Sequence, residues 1–171
     1  ARVAVVGIGG LGHMALKFCR AWGCEVTAFT TSASKEEEAR AFGAHHVVTT
    51  GDAAALQALA GHFDLIIDTV NVPLDWNGLL AALAPKGKLH VVGAVLEPIA
   101  VPAFSLIMGQ KSLSGSPTGS RGALDSMLGF AARHGVAPKT EHFPMRRVND
   151  ALDHLRAGKA RYRIVLDADF G

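Results

Sequence analysis

Cysteine is scarce in this chain: of 171 residues, only Cys19 and Cys24 carry a thiol. They form no recognisable zinc spacing and read as small apolar core residues in a reducing compartment. The eight histidines include no HExxH pattern and no Cys/His cluster. His45 and His46 fall in a loop before Val47 and His90 falls in a strand, so the sequence assembles no metal site. Long apolar runs are lacking too. None approaches the roughly 20 residues needed to cross a bilayer, and no charged leader precedes a signal-like segment; the expectation is a soluble, cytoplasmic protein. A formal net charge of +2 is spread without a basic stripe, which argues against a nucleic-acid partner. An initiator methionine is also missing. The chain opens at Ala1, one residue before its first strand, and reads as a piece of a longer polypeptide.

What is present is an apolar chain, 49% hydrophobic with a mean hydropathy of +0.25, enough for one globular core. Its most informative stretch is Val3 to Gly12, VAVVGIGGLG. A β-branched strand that turns on closely spaced glycines into a helix can bring a pyrophosphate onto backbone N–H groups at the helix N-terminus. Gly7 suits the tight turn, Gly9 keeps a Cβ away from the phosphates, and Gly12 lets the helix lie close on its strand. Gly10 completes the run. Leu11, Ala15, Phe18, Cys19 and Trp22 then repeat at helical spacing up to Gly23, and a second strand, Val26 to Thr30, follows.

The end of that second strand lacks an acid. In NAD-binding domains an Asp or Glu there accepts hydrogen bonds from the adenosine ribose. Here the chain reads Thr30, Thr31, Ser32, Ala33, Ser34, Lys35, which offers hydroxyls and an ammonium to an anion. That pattern favours the 2′-phosphate of NADP. Ser32 or Ser34 can also cap the helix carrying Glu36, Glu37 and Glu38, and one residue set can serve both ends.

Strand and helix continue to alternate. Val47 to Thr49 reads as a strand, Asp52 as the cap of a helix over Ala53 to Ala60, and Asp64 to Val70 as a buried strand. A helix runs from about Leu74 to Leu83, and Lys88 to Val95 returns as a strand. The pattern predicts an α/β fold: a Rossmann doubly wound parallel sheet with helices on both faces. The ligand crevice of such a sheet lies at the strands' carboxyl ends, which puts Thr69, Val70, Gly93 and Ala94 beside the nicotinamide. Ile99 to Val101, a short helix near Phe104 to Met108 and a strand over Ser112 to Ser116 come next. Their apolar residues are either ordinary core or an edge that pairs with a second subunit. A helix over Ala123 to His134 ends at Gly135. The boundary expected there separates a cofactor domain, 1–135, from a tail, 136–171, with a helix near Val148 to Ala157 and a final strand, Tyr162 to Asp167.

Six segments in order, GIGGLGHMALKF, TTSASKEEEARAFGAHHVV, FDLIIDTV, APKGKLHVVG, SLSGSPTGSR and KARYRIVLD, resemble the cofactor-binding half of zinc-dependent medium-chain alcohol dehydrogenases, in the NADPH-using, cinnamyl alcohol dehydrogenase-like branch. The resemblance implies pyrophosphate contacts at Gly10 and Leu11 and 2′-phosphate contacts at Thr31, Ser32 and Lys35. It implies nicotinamide-facing backbone at Val92, Ala94 and Ser116, and an arginine, Arg163, that reaches the pyrophosphate. It further implies hydride transfer between NADP(H) and a small alcohol or aldehyde. Zinc would be held only in a GroES-like catalytic domain upstream, and a homodimer would form through Ile99, Ala100, Val101 and Pro102. No catalytic residue is then expected in this chain, which alone would not turn over alcohols. Asn71, Val95 and Leu96 are its candidates for lining the substrate. Two other readings are a zinc-free quinone or enoyl reductase of the same superfamily and a non-catalytic nucleotide-binding module. Because the tail would run back toward the catalytic domain, exposed apolar surface is expected over Lys139 to Gly171.

Overall fold

The computed structural model describes residues 1–50 and 53–169. They fall into two compact units, one covering Ala1–Val136 and the other starting at Ala137. The first is built from β1 (Arg2–Val6), α1 (Gly12–Ala21), β2 (Glu25–Thr30), α2 (Glu36–Ala41), β3 (His46–Thr49), α3 (Ala53–Ala58), β4 (Phe63–Asp68), α4 (Trp76–Ala82), β5 (Leu83–Val91), α5 (Ala103–Ile107), β6 (Ser112–Gly115) and α6 (Arg121–His134). The described strands form a parallel sheet in the order β3-β2-β1-β4-β5-β6. Parallel strands need helical crossovers and are covered on both faces, so they are apolar along their length. Val3, Ala4, Val5 and Val6 are accordingly all buried in β1. The order reverses direction between β1 and β4, and that switch point opens a crevice beyond their carboxyl ends.

One core cluster joins Phe29, Phe63, Ile66, Leu79, Leu80, Leu83 and Leu89. Phe29 and Phe63 meet edge to face, ring centroids 5.8 Å apart at 72°, an arrangement favoured by the ring quadrupoles. Asp75 caps α4 by accepting the Gly78 N–H at 2.9 Å. Ser120 caps α6 by accepting from Ala123 N–H, and Gly135 ends α6 in the left-handed conformation (φ +64°).

Several expectations need correction. The buried stripe of α1 is Gly12, His13, Leu16 and Cys19, rotated from the one read in the sequence. Leu11 and Trp22 are exposed, and Trp22 lies beside Phe18 and Phe130 at the surface. The helix ahead of Pro85 stops at Ala82, and β5 begins at Leu83, which pairs with Phe63. Pro85, Lys86 and Gly87 form an irregularity inside the strand rather than a turn before it. The register shifts there, Lys86 takes φ +65°, and its N–H donates to Gly109 O at 2.8 Å; a proline is tolerated at such a bulge. β5 ends at Val91, not Val95, because Val92 and Gly93 turn to donate their N–H groups to Asp68 O at 2.9 and 3.1 Å.

Ile99 to Pro102 belong to no strand among the described residues. Ile99 and Val101 pack against the core while Ala100 and Pro102 are exposed. Ser32 and Ser34 cap nothing with their side chains: Ser32 Oγ lies 2.6 Å from Ser34 Oγ, and neither the 3-10 turn Ala33–Lys35 nor α2 has a side-chain cap. The cap expected at Asp52 lies outside the described residues.

The second unit holds β7 (Thr140–Pro144), α7 (Val148–Arg156) and β8 (Arg163–Asp167). Its two strands pair in parallel, Thr140 with Arg163 through Pro144 with Asp167, over buried Ala151 and Tyr162. Leu152 and Leu155 of α7 are exposed, as expected of this tail.

Candidate functional site

The glycine turn after β1 closes the switch point from one side. Gly7 takes φ +89°, and its N–H donates to Phe29 O at 2.9 Å. A Cβ on Gly12 would stand 1.8 Å from the Gly7 carbonyl oxygen, so only glycine allows α1 to start this close to β1. A Cβ on Gly9 would meet nothing within 4 Å. The space in front of Gly9 is open to a ligand. Leu11 precedes the helix as its N-cap, and its side chain has no polar atom with which to satisfy the first N–H groups. The positive end of the α1 dipole therefore faces that space.

A cleft of about 310 Å³ lies along this turn, lined by Gly7, Ile8 and Gly9 on one side, Thr30, Thr31 and Lys35 on another, and Thr69 and Val70 on a third. Lys35 Nζ donates to Ile8 O at 3.1 Å, which holds the ammonium at the rim of the glycine turn. An adjoining cleft of about 230 Å³ is largely apolar, with Val6, Phe29, Val48, Leu56, Leu74 and Leu79 in its walls. Its apolar lining suits a heteroaromatic ring. Past Thr69, on the other side of the turn, Leu11, Ala15, Ile67, Val92 and Ser116 line a third opening of about 560 Å³.

The sequence-predicted residues thus gather into two groups that meet at Thr69. Gly7, Gly9, Thr30, Thr31, Lys35 and Val70 surround the first cleft, while Leu11, Val92 and Ser116 surround the third. Ser32 turns aside to Ser34, its own N–H donating to Thr30 Oγ1 at 3.2 Å. Gly10 lies in the turn between Gly9 and Leu11. Gly93 packs under Val70, where a Cβ would come within 1.7 Å of the Val70 carbonyl oxygen; Ala94 is exposed beside it. Arg163 opens β8 in the second unit.

Three polar residues near the site were not among the expected site residues. Asp68 is fully buried at the end of β4. Its Oδ1 accepts the Val70 N–H at 3.1 Å, its main-chain oxygen ties down Val92 and Gly93, and among the described residues Oδ2 finds no partner. Burial raises its pKa above the usual carboxylate value, with the Val70 N–H pulling the other way. His13 is fully buried in α1. His90 bridges β5 and β6, Nδ1 to Ser114 Oγ and Nε2 to Ser116 Oγ, both at 2.9 Å. A polar residue interrupting an apolar run, as in FDLIID and KLHVV, was the available signal for Asp68 and His90.

A six-stranded parallel sheet in this order, with a glycine-lined turn at its switch point, defines a doubly wound α/β domain of the Rossmann type. Comparison with known proteins narrows the class. Residues 10–133 match the zinc-binding dehydrogenase family. The chain is 52% identical over 166 residues to an aldehyde reductase AdhA of Synechocystis, covering 97% of this chain and 49% of that protein. A cinnamyl alcohol dehydrogenase structure from Sorghum bicolor superposes with a TM-score of 0.91 at 42% identity, covering 97% of this chain and 47% of that one. A crystal structure of CAD from Helicobacter pylori, complexed with NADP(H), superposes with a TM-score of 0.84 at 30% identity, covering 98% of this chain and 48% of that one. The chain belongs to the zinc-binding dehydrogenase family and corresponds to the cofactor-binding part of a medium-chain alcohol dehydrogenase. It spans about half the length of the curated relatives it matches.

Proposed function

We propose that this chain seats NADP(H) for an oxidoreductase that interconverts small alcohols and aldehydes. The observation that carries the reading is Lys35: its ammonium sits at the glycine-turn cleft beside Thr30 and Thr31, with no carboxylate at the end of β2. A 2′-phosphate would meet a cation and hydroxyl donors there, whereas an acid in that place would repel it. The space before Gly9 and the uncapped start of α1 suit the pyrophosphate, through Gly10 and Leu11. The apolar cleft along Phe29 and Leu74 suits the adenine, and Val92, Gly93, Ala94, Ser116 and Thr69 form the nicotinamide side. When bound, NADP(H) supplies or takes up the hydride. The chain's own residues bind and orient it.

Among the described residues no three His, Cys, Asp or Glu side chains converge on one point. We place zinc, and most contacts to the alcohol or aldehyde, in the part of the relatives that this chain does not span. We further propose a homodimer through Ile99, Ala100, Val101 and Pro102, supported by exposed Leu96, Phe104, Ile107 and Met108 flanking that segment. A cytoplasmic setting is supported by the free thiols of Cys19 and Cys24; no helix among the described residues is long and apolar enough to cross a membrane.

Titration with NADPH and NADH side by side tests the cofactor reading. The expected result is tighter binding of NADPH, by about tenfold or more, with the advantage lost in Lys35→Ala while NADH affinity holds. Equal affinity for the two cofactors in the unsubstituted chain would overturn the 2′-phosphate assignment.

A further inference from the structure

The Gly9 carbonyl oxygen accepts two hydrogen bonds from one residue. The main-chain N–H of His13 donates to it at 3.1 Å, the first bond of α1, and His13 Nδ1 lies 3.0 Å from the same oxygen. Because a carbonyl can only accept, Nδ1 carries the proton and the ring is held as that tautomer. The ring has no freedom to leave: it is fully buried and packs edge to face on Phe42, centroids 5.3 Å apart at 60°. Phe42 is itself buried at the end of α2. A polar ring in a helix's buried stripe is costly to desolvate unless its hydrogen bond matters to the structure around it.

The consequence follows from peptide geometry. The Gly9–Gly10 peptide is trans, and in a trans peptide the C=O and N–H lie in one plane and point in opposite directions. A carbonyl clamped toward His13, inside the first turn of α1, sends the Gly10 N–H the opposite way, out of the N-terminal end of the helix, and the surroundings of Gly9 are open, since a Cβ there would meet nothing within 4 Å. Two flanking glycines would otherwise let this peptide rotate readily. We propose that His13 is a positioning residue for the cofactor, which locks the Gly9–Gly10 peptide with its N–H aimed at the pyrophosphate before the ligand arrives. The inference rests on the cofactor seat proposed above. It adds a residue with no ligand contact of its own, whose effect is to remove a rotational freedom that binding would otherwise have to freeze.

The test compares NADPH with adenosine 2′-monophosphate, which carries the adenine and the 2′-phosphate but no pyrophosphate. His13→Phe keeps a ring against Phe42 and removes the donor; His13→Asn returns one. The expected result is about tenfold weaker NADPH binding in His13→Phe, partial recovery in His13→Asn, and unchanged affinity for adenosine 2′-monophosphate. Undiminished NADPH affinity in His13→Phe overturns the inference, as does an equal loss for both probes, which would mark a general collapse of the cleft. Should His13→Phe fail to fold, the ring ¹⁵N resonances of the unsubstituted chain decide. A protonated Nδ1 in both free and NADPH-bound forms supports the lock, and a protonated Nε2 with bare Nδ1 overturns it. If the unsubstituted chain binds neither probe, the cofactor seat itself fails and this inference with it; binding without any effect of His13→Phe overturns this inference alone.

Discussion

Gly9 and Gly12 lie three residues apart and serve opposite ends. Gly12 is needed by the fold, since its Cβ would collide with the Gly7 carbonyl, which is backbone and cannot step aside. Gly9 is needed only by what comes to sit in front of it. Gly12→Ala is expected to lower stability by on the order of 3 kcal/mol, as overpacking against rigid backbone does, and to abolish NADPH binding. Gly9→Ala should leave the melting temperature within a few degrees of the parent and weaken NADPH binding. Thermal unfolding and cofactor titration on the two variants separate these outcomes. Cys19 gives a second residue-scale expectation. Burial pushes its thiol up to about 11, with Cys24 adding to the shift. A raised acid pKa means that the folded state holds the proton more tightly than the unfolded chain. Its contribution is therefore complete below pH 9 and is lost as pH climbs toward 11, by about 2–3 kcal/mol in all. Cys19→Ala lacks this loss, so the gap in melting temperature between parent and variant should narrow above pH 9.

At the scale of the element, the sequence located most helices and strands but misjudged where they turn. Capping explains part of this. Asp75 closes the N-terminus of α4 through the Gly78 N–H, and Asp75→Ala is expected to cost about 1 kcal/mol, seen as a lower midpoint in urea unfolding. The irregular start of β5 was unreadable, because Pro85 and Gly87 are turn residues in any local accounting. Only the partner strand, with Phe63 opposite Leu83, draws them into the sheet. The face of α1 was rotated for a related reason. Apolar spacing favoured Leu11, Phe18 and Trp22, yet the close approach at Gly12 dictates which side of the helix meets β1. His13 follows Gly12 inward and Leu11 stays outside.

Across the whole molecule, the crossover at β1 and β4 brings residues from four separate stretches, near 7, 30, 70 and 92, to one end of the sheet. The opposite character marks the segment around α5, where Leu96, Phe104, Ile107 and Met108 leave apolar side chains in solvent. If the proposed dimer forms through the neighbouring Ile99–Pro102 stretch, a charge at Ile107 should disrupt it. Ile107→Asp is expected to shift sedimentation from dimer to monomer while the melting curve of the monomer keeps its cooperative form. A parent chain that sediments as a monomer at micromolar concentration would overturn the dimer.

The sequence by itself determined what depends on local chemistry. Strand–glycine–helix order, helix periodicity and the missing acid after Thr30 are properties of neighbouring residues, so they announced the α/β class, the glycine turn and the group from Thr30 to Lys35. The tertiary structure alone decided what depends on distant partners. Asp68 became a buried carboxyl because β1 and β5 close around the end of β4. His90 acquired two serine partners because β6 lies alongside β5. His13 was turned inward because only a glycine before it lets α1 rest on the Gly7 carbonyl. Burial and hydrogen-bond partnership are set by packing across the chain, so a polar residue in an apolar run can flag Asp68 or His90 without naming the partners.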